Sequence, residues 1–520
     1  MTSAALPPTA TRPARWATEP FTMGSPEQFA RLRDWFLAVD YTEPALCAVA
    51  KVASIGEITA LDSGRVAFDN FDNAQSLLVQ LFIDGRHIPW DSVRAVLSPP
   101  ELSMLTDLGL LQPSVADAGN CVGTIALFPS EDIFVASDRL TKMEVVGTGL
   151  PADLVYTPLT AEARRFVQLM PRLPCGDYLE MCAGTGIAAL LAAKHFAGHA
   201  YSADITDRCT RFARFNAALN ALANFTAVQG DLYEPVRGKQ FDIITAHPPY
   251  VPAESTEMVF RDGGADGEQI SRRVIAGVPE HLKPGGLFYV DCMMTDRVSD
   301  PIEQRMRRML GPEEDEFDVL VFRSGVVDAK VYQAGALAAG RITPQAFARQ
   351  REFFTRVGIE RLVAIRAIIQ RRTAPRPVVT RHHTLSDATR AEDLVWLARF
   401  SGEFLRWRGE DKRRLLDTRP RALPRTELRV RSELRDGIWT PTSTVVVATV
   451  PFAADAPCPS WFPEFLRRCD GRTTAGEHLA RLRAEGVVPA TISDEDFAEL
   501  IRELADVPYI ELDEFPLPGR

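Results

Sequence analysis

Two short segments concentrate the residue types and spacings that do chemistry. The first runs from Glu180 to Leu190, Glu-Met-Cys-Ala-Gly-Thr-Gly-Ile-Ala-Ala-Leu. Gly184 and Gly186 permit a tight turn and close approach of a ligand to the backbone at a strand-to-helix junction. Taken alone, Gly184, Gly186 and Ala189 also fit a dinucleotide-binding loop, with Asp204 at about the distance of its ribose-binding acid. Three carboxylates favour a different ligand. Glu180, at the end of a strand, suits an ammonium group and repels a pyrophosphate. Asp204, followed by Ile205, can accept from both hydroxyls of a ribose, and Asp231 from an adenine amine, with Leu232 against the ring. Acids after three successive strands suit a molecule with a positive centre, a sugar and an amino-purine. S-adenosylmethionine has all three, and Ala183 and Thr185 complete the loop around it. Each acid by itself also fits a helix cap.

The second segment is Phe241 to Glu254, which contains His247-Pro248-Pro249-Tyr250. Two prolines fix the backbone and remove donors. The carbonyls of His247 and Pro248 are then left to accept hydrogen bonds from a planar amino or amide group, on which Tyr250 stacks. Such a grip aims a nitrogen lone pair at a methyl sulfonium, and methyl transfer is largely a matter of positioning. The alternative is a structural turn with an apolar tyrosine.

The elements that must hold these residues are short apolar runs at 177–182, 199–204, 225–230, 241–246, 286–291 and 317–322, several separated by helical patterns at 187–196 and 208–222. Alternation of strand and helix implies a mostly parallel sheet with helices on both faces, and ligands in such sheets sit beyond the carboxyl ends of the strands. Both segments fall there. Upstream, Ser25 to Gln28 has the form of a capping box, and helical spacing recurs through Phe29, Leu32 and Phe36, then Leu77, Leu78, Leu81 and Phe82, then Leu102, Leu105 and Leu108. The runs 122–128 and 133–137, split by Pro-Ser-Glu-Asp, predict a β-hairpin. Downstream, helices are expected from 331 to a Pro/Arg-rich break at 415–427. Strand patterns at 442–450 and helices near 475–485 and 494–505 follow. The expected organisation is a disordered tail over 1–22, a helical and hairpin domain over 23–150, a catalytic domain over 151–330, a helical segment over 331–415 and an α+β domain over 416–520.

The set Glu180–Gly186, His247–Tyr250 and Arg261–Gly286 resembles the release-factor glutamine methyltransferases and their wider N-methyltransferase group. In that family the first loop reads Asp-Leu-Cys-x-Gly-Ser/Thr-Gly, and the fourth strand ends Asn-Pro-Pro-Tyr. The resemblance covers about 180 residues, from Val155 to about Phe322. It implies a Rossmann-like, seven-stranded class I methyltransferase domain, with Glu180, Gly184, Gly186, Asp204 and Asp231 on S-adenosylmethionine. It also places Tyr156, Thr157 and Thr160 over the methionine end of the cofactor. The flanks, including Phe134-Val-Ala-Ser-Asp138, more loosely resemble three-part bacterial methyltransferases. The family's asparagine is His247 here. A neutral imidazole offers one donor and one acceptor and can take a proton, so it suits an amine or hydroxyl as well as an amide.

The resemblance and the residues together imply N-methylation of a protein, peptide or small-molecule nitrogen, with His247, Pro248 and Tyr250 as the catalytic set. Competing readings are a nucleobase amine, an O-methylated natural-product precursor, and a binding module without catalysis. Arg261 and Asp262 are candidates for gating the substrate, or form an ordinary surface pair. The 520 residues are 46% hydrophobic and 25% charged, with net charge -10. Residues 341–436 hold 23 Lys and Arg against 12 Asp and Glu. This stretch serves either a nucleic acid or a solvated face. Nucleic acid is the less favoured partner. No run of 18 apolar residues occurs, and residues 1–20 lack the apolar core of a signal peptide, so a cytoplasmic protein without a membrane partner is expected. Eight cysteines without a Cys-x-x-Cys pair give no metal or disulfide pattern. His382-His383 has no partner cluster and is expected to face solvent.

Overall fold

The computed structural model describes residues 19–60, 68, 73–139, 150–254, 258–404 and 410–519. Of the tail expected over 1–22, residues 1–18 lie outside the described residues, while Phe21 is buried against Phe212 and Phe215, which corrects the expectation for that end. The chain divides into two units. The first comprises residues 1–167, 173–281 and 330–357, and the second comprises 168–172, 282–329 and 358–520.

The first unit begins with helix α1 (Pro26–Ala38), which starts as its sequence predicts. Ser25 and Gln28 exchange side-chain and backbone hydrogen bonds in a capping box, with Pro26 in the first turn. The predicted hairpin forms, shifted. Strands β1 (Ala126–Ser130) and β2 (Ile133–Ser137) pair from Ser130↔Ile133 to Ala126↔Ser137, so the turn is Glu131-Asp132. Glu131 takes the positive φ of 53° that so tight a turn requires. Val122 and Gly123 belong instead to a separate small sheet, pairing with Gln112 and Leu111.

Helix α2 (Ala161–Leu169) leads into the parallel sheet: β3 (Cys175–Met181), β4 (Ala197–Asp204), β5 (Phe225–Gln229) and β6 (Phe241–Ala246). β3 is flanked by β4 and β6, and β5 lies beyond β4. Helix α3 (Ile187–His195) joins β3 to β4, and α4 (Asp207–Leu219) joins β4 to β5. α3 is buried from Ile187 to Ala193, which explains why its sequence is apolar all round. Helix α5 (Gln269–Ala276) follows β6.

The N-terminal part packs on α4. Phe21 and Phe29 meet Phe215 at ring-centroid distances of 4.4 and 5.2 Å. Asn216 and Asn220, one turn apart, treat β2 as a strand neighbour would. Asn216 accepts from Ala136 N (2.7 Å) and donates to Ala136 O (3.1 Å); Asn220 does the same with Phe134 (2.8 and 2.7 Å). Just beyond β2, buried Asp138 pairs with buried Arg208 of α4 and accepts from Val155 N at 2.8 Å. The Phe134–Asp138 motif is thus a fastening between the N-terminal part and the sheet's second crossover helix.

The second unit carries β7 (Leu282–Arg297) and β8 (Phe317–Asp328), as predicted. The chain then forms helices α6 (Ala329–Ala338) and α7 (Pro344–Val357), both largely in the first unit. The expectation of helices throughout 331–415 is corrected by β9 (Ile359–Arg371) and β10 (Thr380–Leu385). β9 lies antiparallel between β7 and β8, and β8 pairs in parallel with β10. Arginines spaced along β9 obscured it. Arg366 pairs with buried Asp291 at 2.8 Å, and Arg361 and Arg371 pair with Asp296 and Glu316. The described chain ends in an α+β region with β11 (Glu427–Arg435), β12 (Ile438–Ala448) and β13 (Phe452–Pro457), and helices over Ala475–Ala484 and Asp494–Asp506. β11 pairs with β12, β12 with β13, and β13 with β10, all antiparallel.

The paired histidines divide. His382 is exposed and lies 3.2 Å from Glu303, but His383 is buried between Phe322 and Phe452, and burial pushes its pKa down to about 3. The expectation of solvent for both is corrected for His383, whose alternating strand position faces the core. Among the described residues no group of three or more His, Cys, Asp or Glu side chains is arranged to hold a metal ion.

Candidate functional site

At the carboxyl end of β3 the chain turns through three residues with positive φ: Cys182 at 54°, Gly184 at 54° and Gly186 at 77°. Gly184 is fixed by conformation, because a Cβ there would meet nothing within 4 Å. Gly186 is fixed by packing too, with Ser202 Oγ and Ala213 Cβ at 3.1 and 3.2 Å from such an atom. Cys182 has no such licence, and an L-residue in this region is strained. The turn is held by Gly186 N donating to Ala183 O at 2.8 Å and Ala183 N to Ala203 O at 3.2 Å. Asn216 donates to the carbonyl of buried Thr185 at 3.1 Å.

Glu180 is buried and accepts from Ala189 N at 2.8 Å, at the N-terminus of α3. Burial raises its pKa to about 8, against the opposing pull of the Ala189 and Ala188 N–H groups, and the charge of Asp204 raises it further. Asp204, at the end of β4, accepts from Gly184 N (2.9 Å) and from Thr206 N (3.0 Å) and Oγ1 (3.2 Å). Its neighbour Ile205 leaves an apolar side chain 50% exposed. Asp231 follows β5, and Leu232 beside it takes a φ of 52°. Arg273 of α5 pairs with Asp231 at 2.7 Å, both half-exposed. Sequence reasoning missed Arg273, since its partner lies 42 residues away and no local pattern marks it. Glu180, Asp204, Asp231 and Arg273 all act electrostatically on the Cys182 thiol, which burial above all pushes up. The three predicted acids and the loop therefore converge on one edge.

The end of β6 supplies the other side. The imidazole of His247 stacks on Phe166 of α2 at 5.3 Å and 22°, and Tyr250 flanks it at 5.7 Å. Pro248 is buried between them in sequence. The segment after Tyr250 is fastened to the loop 261–268. Val251 N donates to Arg261 O, Gly263 N to Val251 O and Ala253 N to Gly264 O, each at 2.9 Å. Two glycines are required here. A Cβ on Gly267, whose φ is 80°, would lie 2.4 Å from Tyr250 O, and one on Gly263 would lie 2.8 Å from Tyr250 Cα. Asp262 is buried and accepts from Met258 N at 3.0 Å, so it shapes this loop, while Arg261 pairs with it at 3.2 Å. Asp266 likewise holds Arg272 at 2.8 Å.

Tyr156 stacks on Phe260 at 5.6 Å and 14°, joining the stretch before α2 to the loop after Tyr250. Thr160 caps α2 by accepting from Ala163 N at 3.4 Å, and Thr157 accepts from Leu159 N at the same distance. Helix α7 closes on the same loop. Arg349 forms a two-pronged pair with Glu254 at 2.6 and 2.5 Å, and Gln350 Nε2 donates to Pro252 O at 3.2 Å. Nothing in the sequence ties α7 to this loop, because about 95 residues separate the partners.

A family model for the methyltransferase small domain matches residues 161–319, the span that holds this glycine turn and the His-Pro-Pro-Tyr strand end. The chain carries a methyltransferase small domain. Three curated relatives resemble that domain. A Methanocaldococcus jannaschii protein, named by inference a protein N5-glutamine methyltransferase, is 37% identical over 22% of this chain and 60% of its own. The ribosomal protein uL3 glutamine methyltransferase of Bradyrhizobium diazoefficiens is 36% identical over 21% of this chain and 38% of its own. The release factor glutamine methyltransferase of Koribacter versatilis is 33% identical over 30% of this chain and 60% of its own. The chain thus spans about 40 to 60% of the length of these relatives. The methyltransferase domain is of class I, an α/β fold, and S-adenosylmethionine is the cofactor of that class. No helix among the described residues is long and apolar enough to cross a membrane.

Proposed function

We propose that the chain transfers a methyl group from S-adenosylmethionine to a nitrogen of a protein substrate held at His247-Pro248-Pro249-Tyr250. The observation that carries this reading is the convergence of Glu180, Asp204 and Asp231 at the carboxyl ends of three neighbouring parallel strands, with His247 at the end of the fourth. The residues present fit the cofactor. Gly184 leaves its surroundings open to a ligand, Ile205 offers an exposed apolar face beside a ribose-binding acid, and Glu180 lies buried where a cation would discharge its cost. Glu180 would hold the ammonium, Asp204 the ribose, and Asp231 with Leu232 the adenine, Asp231 turning from Arg273 to do so. Ala183, Thr185 and Thr160 would line the methionine end. The cofactor supplies a methyl group on a positively charged sulfur.

The chain's own contribution is position. Without N–H groups at Pro248 and Pro249, the carbonyls of His247 and Pro248 can grip an acceptor NH, and Tyr250 stacks on its plane. His247, stacked on Phe166 with Tyr250 tilted beside it, presents an imidazole that either donates to the acceptor or takes its proton. The names of the relatives, acting on ribosomal protein uL3 and on release factors, support a protein nitrogen. The test supplies label-bearing S-adenosylmethionine with ribosomal-protein and release-factor fractions and locates the label by mass spectrometry. Label on a protein nitrogen, lost in Asp204→Ala, is expected. Label in RNA, or a base-labile ester, would overturn the substrate class.

A further inference from the structure

Strand β11 (Glu427–Arg435) of the second unit stands at the end of its sheet. Among the described residues it pairs on one side only, with β12. All its residues are exposed apart from half-buried Ser432. The irregularity in its pairing with β12 falls on the β12 side, where Arg431 faces Ser443 and Ser432 faces Pro441, so β11 itself runs without a bulge. An unpaired, regular, nine-residue edge is a template for another strand. Its side chains say which strand. Along one face run Glu427, Arg429, Arg431, Glu433 and Arg435, and along the other Leu428, Val430, Ser432 and Leu434.

This order is complementary to itself. When the strand is laid antiparallel to a copy of itself about Arg431, Glu427 falls opposite Arg435 and Arg429 opposite Glu433, so four ion pairs form across the axis. On the other face Leu428 meets Leu434, and Val430 meets Ser432. Only the axial Arg431 meets its like. Shifting the axis by one residue of the same face keeps only the Arg431–Glu427 pairs (axis at Arg429) or sets Arg431 against Arg435 (axis at Glu433), and either shift leaves an end of the strand without a partner. Leu428, Val430 and Leu434, now 47 to 58% exposed, gain apolar neighbours in the centred register. Cross-strand ion pairs and apolar pairs are the units that stabilise sheets and fix their register.

We infer that β11 pairs antiparallel with β11 of a second copy of this chain, centred on Arg431, to form a two-fold homodimer. The test is sedimentation of the full chain with its single and double charge variants, each checked by circular dichroism and thermal melting. The wild type is expected to be a concentration-dependent dimer. Arg429→Glu and Glu433→Arg each set like charges opposite one another twice and should weaken the dimer by about tenfold or more. Arg429→Glu with Glu433→Arg restores complementarity and the dimer. Arg431→Thr removes the one repulsive contact and should tighten it by severalfold. A wild type that stays monomeric at loading concentrations of about 100 µM, a dissociation free energy of roughly 5.5 kcal/mol, overturns the inference. A dimer indifferent to both single variants, or one not rescued by the double, overturns it equally.

Discussion

Glu180→Gln should make the free protein more stable at neutral pH while weakening its hold on the cofactor. Burial raises the Glu180 pKa from 4.5 to about 8. Its proton is therefore retained on folding, and the stability associated with it is fully present below pH 4.5. That stability is lost as pH rises from 4.5 through about 8 and stays lost above. Each unit corresponds to about 1.4 kcal/mol, so between pH 5 and 7.5 the wild type should lose about 3 kcal/mol from this group alone. Glutamine is close in shape, can still accept from Ala189 N, and does not titrate. Denaturant unfolding of both proteins at several pH values in this window gives a difference in which every other titration cancels. The variant is expected to gain on the wild type steadily as pH rises, by up to about 3 kcal/mol. Calorimetry should then show weaker S-adenosylmethionine binding by the variant. It should also show proton release on binding to the wild type near pH 7, because an ammonium beside Glu180 drives its ionisation. A difference that moves by less than about 0.5 kcal/mol across the window would refute the reasoning.

Three further outcomes follow from the geometry. Asp204→Ala removes the acceptor for Gly184 N and Thr206 N, so calorimetric binding of S-adenosylmethionine and S-adenosylhomocysteine should be lost while His247→Ala retains it. Gly267→Ala forces a Cβ against the Tyr250 carbonyl in a φ that L-residues avoid, and should cut the methylation rate by at least about tenfold, the equivalent of 1.4 kcal/mol in the barrier, with little change in cofactor binding. Asn220→Ala leaves the Phe134 N–H and carbonyl without their side-chain partner and should cost about 1–3 kcal/mol, read by denaturant unfolding and by faster amide exchange along Ile133–Ser137.

Much of the candidate site's placement was legible because its signals are local. The runs ending at Met181, Asp204, Gln229 and Ala246 are short, apolar and bounded by polar turns, and the residues that matter sit directly at their ends. Position at a strand end then implies convergence, which is why three acids whose outer members are 51 residues apart in sequence fall on one edge. What failed was whatever depended on distant partners. Arg273 and Arg349 look like ordinary helical surface arginines until Asp231 and Glu254 are brought to them. β9 has apolar residues close enough to helical spacing to mislead, and its arginines are matched by Asp291, Asp296 and Glu316 from elsewhere in its unit. The hairpin was placed a few residues early because Pro129 was taken as a turn residue, whereas it lies within β1 opposite Phe134.

Helix α4 answers to two neighbours at once. Its N-terminal cap, Thr206, shares hydrogen bonds with Asp204, and about three and four turns later Asn216 and Asn220 grip the backbone of β2. Asn216 also reaches the carbonyl of Thr185 in the glycine turn. A side chain that reads one strand and one ligand loop together couples their positions. Displacing β2 by even an ångström must either break a buried amide pair or drag Thr185 with it. Whatever binds the N-terminal part of this chain is therefore mechanically in series with the glycine turn proposed to cradle the methyl donor, and occupancy of one should be felt as stiffness in the other.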